Sequence, residues 1–291
     1  MKNSAITHRK VRTNGIELHV AEAGDADAPL LLLLHGFPEF WFAWRDYLPA
    51  LAASGFHVVA PDQRGYDLSD KPRGIDAYRL DTLADDIAGL ARALGRETFQ
   101  IAGHDWGGVV AWAIASRHAS RLQRMAVLNA PHPAIWRHAM RSDPEQRRRS
   151  GYVRALQTPW LPEAVLRLGR YEGLAKSFAT ARSDAFPIDV MQSYREAWRR
   201  PGALTAMLNW YRALLRHQMT VPAPATLSTP CLILWGDSDP YAIAKLADDS
   251  ATLCADAEVV HLPDVSHWVI HDARETVLAH LRRFLISSHR G

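Results

Sequence analysis

The stretch Phe99-Gln100-Ile101-Ala102-Gly103-His104-Asp105-Trp106-Gly107-Gly108 runs from a short apolar segment, through a glycine-rich turn, into a helical pattern. A strand, a G-x-D-x-G turn and a helix in that order lift one side chain above a sheet. The glycines flank a turn too tight for larger residues. The amides of the following helix point at the raised group. Serine is the usual residue at that position; here it is Asp105. Aspartate is also a common helix N-cap, so the turn alone leaves two readings open. As a nucleophile, a carboxylate attacking carbon gives an alkyl-enzyme ester that water must then cleave. That chemistry needs an electrophilic sp³ carbon with a strained or good leaving group, which disfavours an ordinary esterase or lipase.

Around this turn the chain alternates strand-like and helical patterns. Ile16–Ala23 alternates like a half-buried strand, and Leu30–Leu34, 58–60, 99–102 and 125–128 are continuous apolar runs. Such runs suit strands covered on both faces. Helical patterns lie near 41–53, 82–94 and 108–116. This βαβα rhythm predicts a mostly parallel, twisted sheet with helices on both faces. From 134 to 222 no strand pattern is visible, and Pro144, Pro159, Pro162, Pro187 and Pro201 break helical segments. The Pro-rich stretch 221–226 closes that region, and its basic run Arg147, Arg148 and Arg149 reads as a solvated helix face. Strand patterns return at 231–235 and 258–261, with helices near 242–253 and through Phe284. The expected organisation is a core of 1–133 and 223–291 with a helical cap inserted at 134–222.

The length of 291 residues suffices for one large core plus such an insertion. The net charge of +3 asks for neither nucleic acid nor a membrane as partner. No apolar run approaches the ~18 to 20 residues of a spanning helix. The polar start Met1-Lys2-Asn3-Ser4 lacks the apolar centre of a signal peptide, so the expected location is cytoplasmic. Cys231 and Cys254 have no metal or redox spacing and read as reduced core residues.

Two partners for Asp105 follow in the order acid, then histidine, as this arrangement requires. His267 stands in the loop before the last helix, and a histidine near its ordinary pKa suits the activation of water. His271 lies four residues on, but no H-E-x-x-H pattern or ligand cluster accompanies it, so no zinc site is read. Behind the base, Asp237 and Asp239 compete, one and three residues after Gly236. His35-Gly36-Phe37-Pro38-Glu39 follows the first buried strand. Its loop can aim the Phe37 amide at the nucleophile, and with the Trp106 amide it would form an oxyanion hole.

At this point the sequence resembles the α/β-hydrolase-fold epoxide hydrolases, with haloalkane and haloacetate dehalogenases as relatives. The resemblance covers about 15–285 and rests on HGFPE, GHDWGG, LNAPHP and NWYR. It implies Asp239 as the acid, from a G-x-x-D spacing, and a cis Phe37–Pro38 bond. It also implies two cap tyrosines that hold the epoxide oxygen, Tyr211 in Asn209-Trp210-Tyr211-Arg212 and Tyr152, five residues before Gln157-Thr158-Pro159. An opening epoxide becomes an alkoxide, which a phenol of pKa ~10 can protonate. Three departures favour an epoxide over a halide. Phe37 stands where dehalogenases have a halide-binding asparagine. Asn129 stands where some carry their acid. Trp106 stands where haloacetate enzymes tend to have an arginine, although a tryptophan there is shared by epoxide hydrolases and dehalogenases and by itself decides nothing. The implied substrate is a small apolar epoxide, with no cofactor or metal, acted on by a monomer or homodimer. The alternatives are a dehalogenase with the same nucleophile and a non-catalytic receptor, which a missing triad member would signal. Trp41, Trp106, Trp136, Trp160 and Trp210 are candidate pocket aromatics.

Overall fold

Five consecutive leucines, Leu30–Leu34, form the buried strand β3. Side chains alternate across a strand, and both sides of this one are covered. Leu30, Leu32 and Leu34 join one apolar cluster, while Leu31 and Leu33 join another on the opposite face. A continuous apolar run is the signature of such two-sided burial.

The computed structural model describes residues 5–217 and 226–286. Among these, eight strands form one sheet: β1 (Thr7–Thr13), β2 (Ile16–Ala23), β3, β4 (His57–Pro61), β5 (Phe99–His104), β6 (Leu122–Leu128), β7 (Cys231–Gly236) and β8 (Ala257–Leu262). The spatial order is β1-β2-β4-β3-β5-β6-β7-β8. β1–β2 and β2–β4 are antiparallel, and the remaining pairs are parallel. Helix α1 (Tyr47–Ala52) shares its face of the sheet with the C-terminal helix, while α2 (Leu80–Ala93) and α3 (Trp106–Arg117) pack on the other. Crossing from β3 to β5 makes these two strands neighbours, so their C-terminal ends and loops converge on Asp105.

Between β6 and β7 the described residues form helices and no strand. These are α4 (Pro133–Ser142), α5 (Pro144–Arg149), α6 (Tyr152–Ala155), α7 (Leu161–Ala175), α8 (Ile188–Arg199) and α9 (Ala203–Arg216). α7 is broken at Leu168, Gly169, Arg170 and Tyr171, whose backbones are non-helical. Buried hydrogen bonds tie this insertion to the sheet layer. The Trp198 indole donates to Pro38 O at 2.6 Å and the Trp210 indole to Arg64 O at 3.0 Å. The chain then adds α10 (Lys245–Ala251), α11 (Val269–Asp272) and α12 (Arg274–Ile286). The expected end of the insertion at 222 lies outside the described residues, as does most of the Pro-rich stretch.

Several expectations change. The single helix expected near 41–53 is a 3-10 turn, Trp41–Trp44, followed by α1. Pro49 sits in the first turn of α1, where its missing N–H is harmless; a continuous helix would drive its ring into the carbonyl of Arg45. The last helix is divided into α11 and α12. β1 was not visible in the sequence because it is an edge strand with five of its seven residues exposed. The basic run does not lie wholly in solvent: Arg149 pairs with Glu145 at 2.8 Å and reaches inward to the carbonyl of Asp239.

The turn at the sheet centre leaves no room for a side chain at Gly107. A Cβ there would stand 2.2 Å from Leu34 O. Backbone atoms on two rigid elements would have to separate, so Gly107→Ala should cost at least about 1 to 3 kcal/mol. Thermal unfolding should show a lowered Tm; an unchanged Tm would mean that β3 and α3 have freedom to move apart.

Candidate active site

Asp105 ends β5 and begins α3 with φ +50° and ψ −121°, a conformation that non-glycine residues seldom adopt. This geometry raises the carboxylate out of the sheet instead of leaving it to cap the helix, and no side-chain cap bond forms. Oδ1 accepts the Phe37 amide at 2.8 Å. Oδ2 lies 3.5 Å from His267 Nε2. The Phe37–Pro38 bond is cis. The Trp106 amide is the first of α3 and has no partner within the helix.

On the other side of the imidazole, His267 Nδ1 is 2.7 Å from Asp239 Oδ2. Asp239 is buried and also accepts from Asn129 Nδ2 at 2.8 Å, the Tyr241 amide at 2.7 Å and the Ala242 amide at 3.1 Å. Burial works to raise its pKa, but His267 and these donors reverse that and leave it lowered. Asp237 points elsewhere, pairing with His261 at 2.6 Å on a half-exposed rim. The two acids thus have different partners. For His267, burial works to lower the pKa, yet Asp239 and Asp105 raise it to about 10. The imidazole between two carboxylates is therefore held as its cation.

Tyr152 and Tyr211 face the same space, with ring centroids 5.9 Å apart. Tyr211 packs edge-on against Phe37 and Trp106, each at 5.1 Å. Burial raises the pKa of both phenols, and the Asp105 charge adds to the effect. Both therefore stay protonated donors at any ordinary pH. Tyr152 keeps 37% of its surface exposed, whereas Tyr211 is buried. A narrow cavity of about 80 Å³ opens beside Asp105 and His267, toward Trp136 and Leu214. A second of about 310 Å³ extends from the same two residues toward Leu166 and Leu174. Tyr152, Tyr211 and Tyr241 line both.

Of the five candidate tryptophans, Trp106 and Trp136 line this space. Trp210 is buried behind Trp106, Trp41 packs on His8 and His19, and Trp160 is 84% exposed. A tryptophan pattern carries no direction, so the sequence could not separate these cases.

Three features escaped the sequence reading. Tyr241 packs against His267 at 5.0 Å. Gln146 on α5 is buried and clamps the acid loop, donating to Tyr241 O at 3.0 Å and accepting from the Ile243 amide at 3.0 Å. Below Asp105, the fully buried Glu39 gathers His271 Nε2 at 2.7 Å, Tyr194 Oη at 2.8 Å and His104 Nδ1 at 3.2 Å. Burial would raise its pKa, but His271 and His104 hold it well below the usual carboxylate range. His104 Nε2 in turn lies 2.8 Å from His267 O. The position of Glu39 in HGFPE and of His104 beside Asp105 was the available signal. Among the described residues, His19, Asp62 and Asp67 place three possible ligand atoms close together. His19 and Asp62 already pair at 2.7 Å and Asp67 pairs with Arg200, so their charges are met without an ion.

An eight-stranded, mostly parallel sheet carrying a carboxylate on its central elbow, with a histidine–acid pair beside it, defines an α/β hydrolase. The family model of the alpha/beta hydrolase fold matches residues 29–273, and the chain belongs to that family. It is 44% identical over 263 residues to the AB hydrolase superfamily protein YfhM of Bacillus subtilis, covering 90% of this chain and 92% of that one. It is 33% identical to Epoxide hydrolase 2 of Caenorhabditis elegans, over 96% of this chain and 79% of the relative. Among solved structures, the epoxide hydrolase of Bacillus megaterium in complex with an inhibitor superposes with a TM-score of 0.87 at 28% identity, over 96% of this chain and 100% of that one.

Of the two acids, Asp239 is the one in contact with the imidazole. Asp239→Asn should lower the His267 pKa from about 10 toward its ordinary value, as followed by NMR of the imidazole. Asp237→Asn should leave that titration in place. The opposite pattern would show that the contact with Asp239 does not set the charge on His267.

Proposed function

We propose that this protein is an epoxide hydrolase that opens its substrate through a covalent ester on Asp105. The observation that carries the reading is the placement of one carboxylate between an amide, an imidazole and two protonated phenols. Asp105 Oδ1 is occupied by the Phe37 amide, which leaves Oδ2 to attack a ring carbon. The carbon–oxygen bond of the ring breaks as the new ester bond forms. Tyr152 or Tyr211 gives its proton to the leaving oxygen, so a hydroxyalkyl ester results and not a free alkoxide.

Esterification removes the negative charge of Asp105. One of the two carboxylates that raise the His267 pKa is then gone, so the imidazolium gives up its proton more readily, and through solvent that proton restores the phenolate left by ring opening. Neutral His267, held by Asp239, takes a proton from water as that water attacks the ester carbonyl. The oxyanion forms on Oδ1, against the amides of Phe37 and Trp106. Collapse breaks the acyl carbon–oxygen bond and releases a vicinal diol. The leaving oxygen takes the proton of the added hydroxyl, and His267 keeps the proton it took from water, which restores the resting imidazolium beside the regenerated Asp105 carboxylate. We read the insertion from residue 134 as the cap that supplies both tyrosines and closes the apolar pocket. The names of the curated and structural relatives support this activity.

The test separates the two half-reactions. His267→Gln should form the ester and hydrolyse it slowly, so intact-protein mass spectrometry should find an adduct of the mass of the epoxide. An inactive variant with no adduct, on any epoxide the wild type hydrolyses, would remove His267 from the hydrolytic step.

A second test concerns the leaving group. A departing halide needs no proton, whereas an epoxide oxygen does. The double change Tyr152→Phe with Tyr211→Phe should cut epoxide turnover by ~10² to 10⁴-fold, the usual contribution of a general acid. Any halide release from an alkyl halide should fall far less. Equal losses would assign the tyrosines to packing, and halide release by a wild type that opens no epoxide would replace the reading with dehalogenation.

A further inference from the structure

The net charge of +3 conceals a division within the chain. Residues 134–217 hold 15 Arg and Lys against 7 Asp and Glu, which leaves 19 against 24 for the rest. The helical insertion is therefore strongly basic, and the remainder is acidic.

On that basic layer, α7 turns an apolar face to solvent. Leu161, Val165 and Leu168 recur at i, i+4 and i+7, and they are 60%, 52% and 68% exposed. Trp160 precedes them at 84% exposure, held at φ +61°. The small Ala164 completes the same arc. A tryptophan in that backbone conformation, standing in water beside three aliphatic residues, is an arrangement that burial in the fold does not explain. Arg167 and Arg216 line the surface depression that also holds Trp160. Exposed Arg154 and Arg170 lie close by in sequence, and none of these four arginines pairs with a carboxylate among the described residues.

We propose that this face of α7 docks on the interfacial zone of an anionic lipid bilayer. Tryptophan and aliphatic side chains enter the headgroup boundary, and the flanking arginines meet the lipid phosphates. Charge selects this occupant over a second copy of the chain. A symmetric contact would press two surfaces of like charge together. Leu166 on the same helical segment, and Leu174 beyond the break, line the cavity that reaches Asp105. The segment that carries the apolar surface therefore also borders the cavity of the proposed nucleophile. No helix among the described residues is long and apolar enough to cross a membrane, so the contact is peripheral.

The full-length protein should float with vesicles of equimolar phosphatidylcholine and phosphatidylglycerol and not with phosphatidylcholine alone. Raising ionic strength from about 0.1 M to about 1 M shortens the screening length from ~10 Å to ~3 Å and should weaken the binding. Leu168→Asp and Trp160→Ser should each weaken it by at least about tenfold, because both remove apolar area from the interface. Both positions are exposed, so thermal unfolding should be unchanged; Arg167→Glu gives an independent variant that alters only charge. No flotation with the anionic vesicles would overturn the proposal. So would equal binding by the apolar variants, or a dimer in sedimentation that Leu168→Asp dissolves. The readout is binding and not turnover, so it stands apart from the fate of the epoxide reading.

Discussion

A single imidazole placed between two carboxylates organises the centre of this molecule. His267 touches Asp239 at 2.7 Å and stands 3.5 Å from Asp105. A buried carboxylate without partners would gain a proton and lose its charge. Asp239 keeps its charge because four donors surround it, and those donors come from distant parts of the chain. Asn129 follows β6, the Tyr241 and Ala242 amides belong to the loop after β7, and His267 precedes α11. Asn129 does more than donate: its Oδ1 accepts the Gly236 amide at 2.9 Å, joining the ends of β6 and β7. Gln146 and Arg149 then fasten the same loop to the helical insertion. Satisfying one charge has required the sheet, its C-terminal loops and the insertion to meet at one place.

The parts that could be read in the sequence are those set by local or periodic rules. The leucine run of β3 and the glycine turn around Asp105 both signal their structure within about ten residues, through two-sided burial and steric exclusion. His267 was identifiable because its loop position and chemistry agreed. The choice between Asp239 and Asp237 was not local. It turns on which carboxylate faces the imidazole, and two residues of loop reverse that direction. The spacing suggested by the family resemblance named Asp239, and the contact distances place it next to His267 while Asp237 meets His261. The Glu39 cluster offered the positions of Glu39 and His104 as signals, but its assembly as a group was hidden for a stronger reason. Its members are 65, 155 and 232 positions away from it in the chain, so no window of sequence contains the group. β1 and the split first helix were missed where one proline or an exposed edge outweighed the hydrophobic pattern.

Two tiers of buried polar contacts therefore lie around Asp105. The upper tier, Asp239 and His267, borders the cavity through the imidazole, whose charge changes during the reaction proposed above. In the lower tier, Glu39 and His104 are sealed from solvent, and His271 stands at its partly exposed edge. It touches the upper tier through His104 and the His267 carbonyl at 2.8 Å. Sequestering the lower tier beneath the sheet loops gives the imidazole a fixed backbone position without placing another titrating group in the cavity.

The contact between Tyr194 and Glu39 also constrains how the molecule can breathe. α8 brings that tyrosine from the insertion into the sealed tier, where its hydroxyl meets the carboxylate at 2.8 Å. Swinging α8 away would strip a donor from a fully buried anion, a penalty of about 1 to 3 kcal/mol or more. The helices of the insertion are thus unequal in mobility. α8, bonded to the sealed tier, should exchange amide hydrogens only in near-global openings, whereas α6 and the break in α7 at 168–171, which carry no such tether, belong to the shallow end of the local-unfolding spectrum. On the reading proposed above, an opening toward Asp105 would then begin at α6 and at the break in α7 while α8 stays seated.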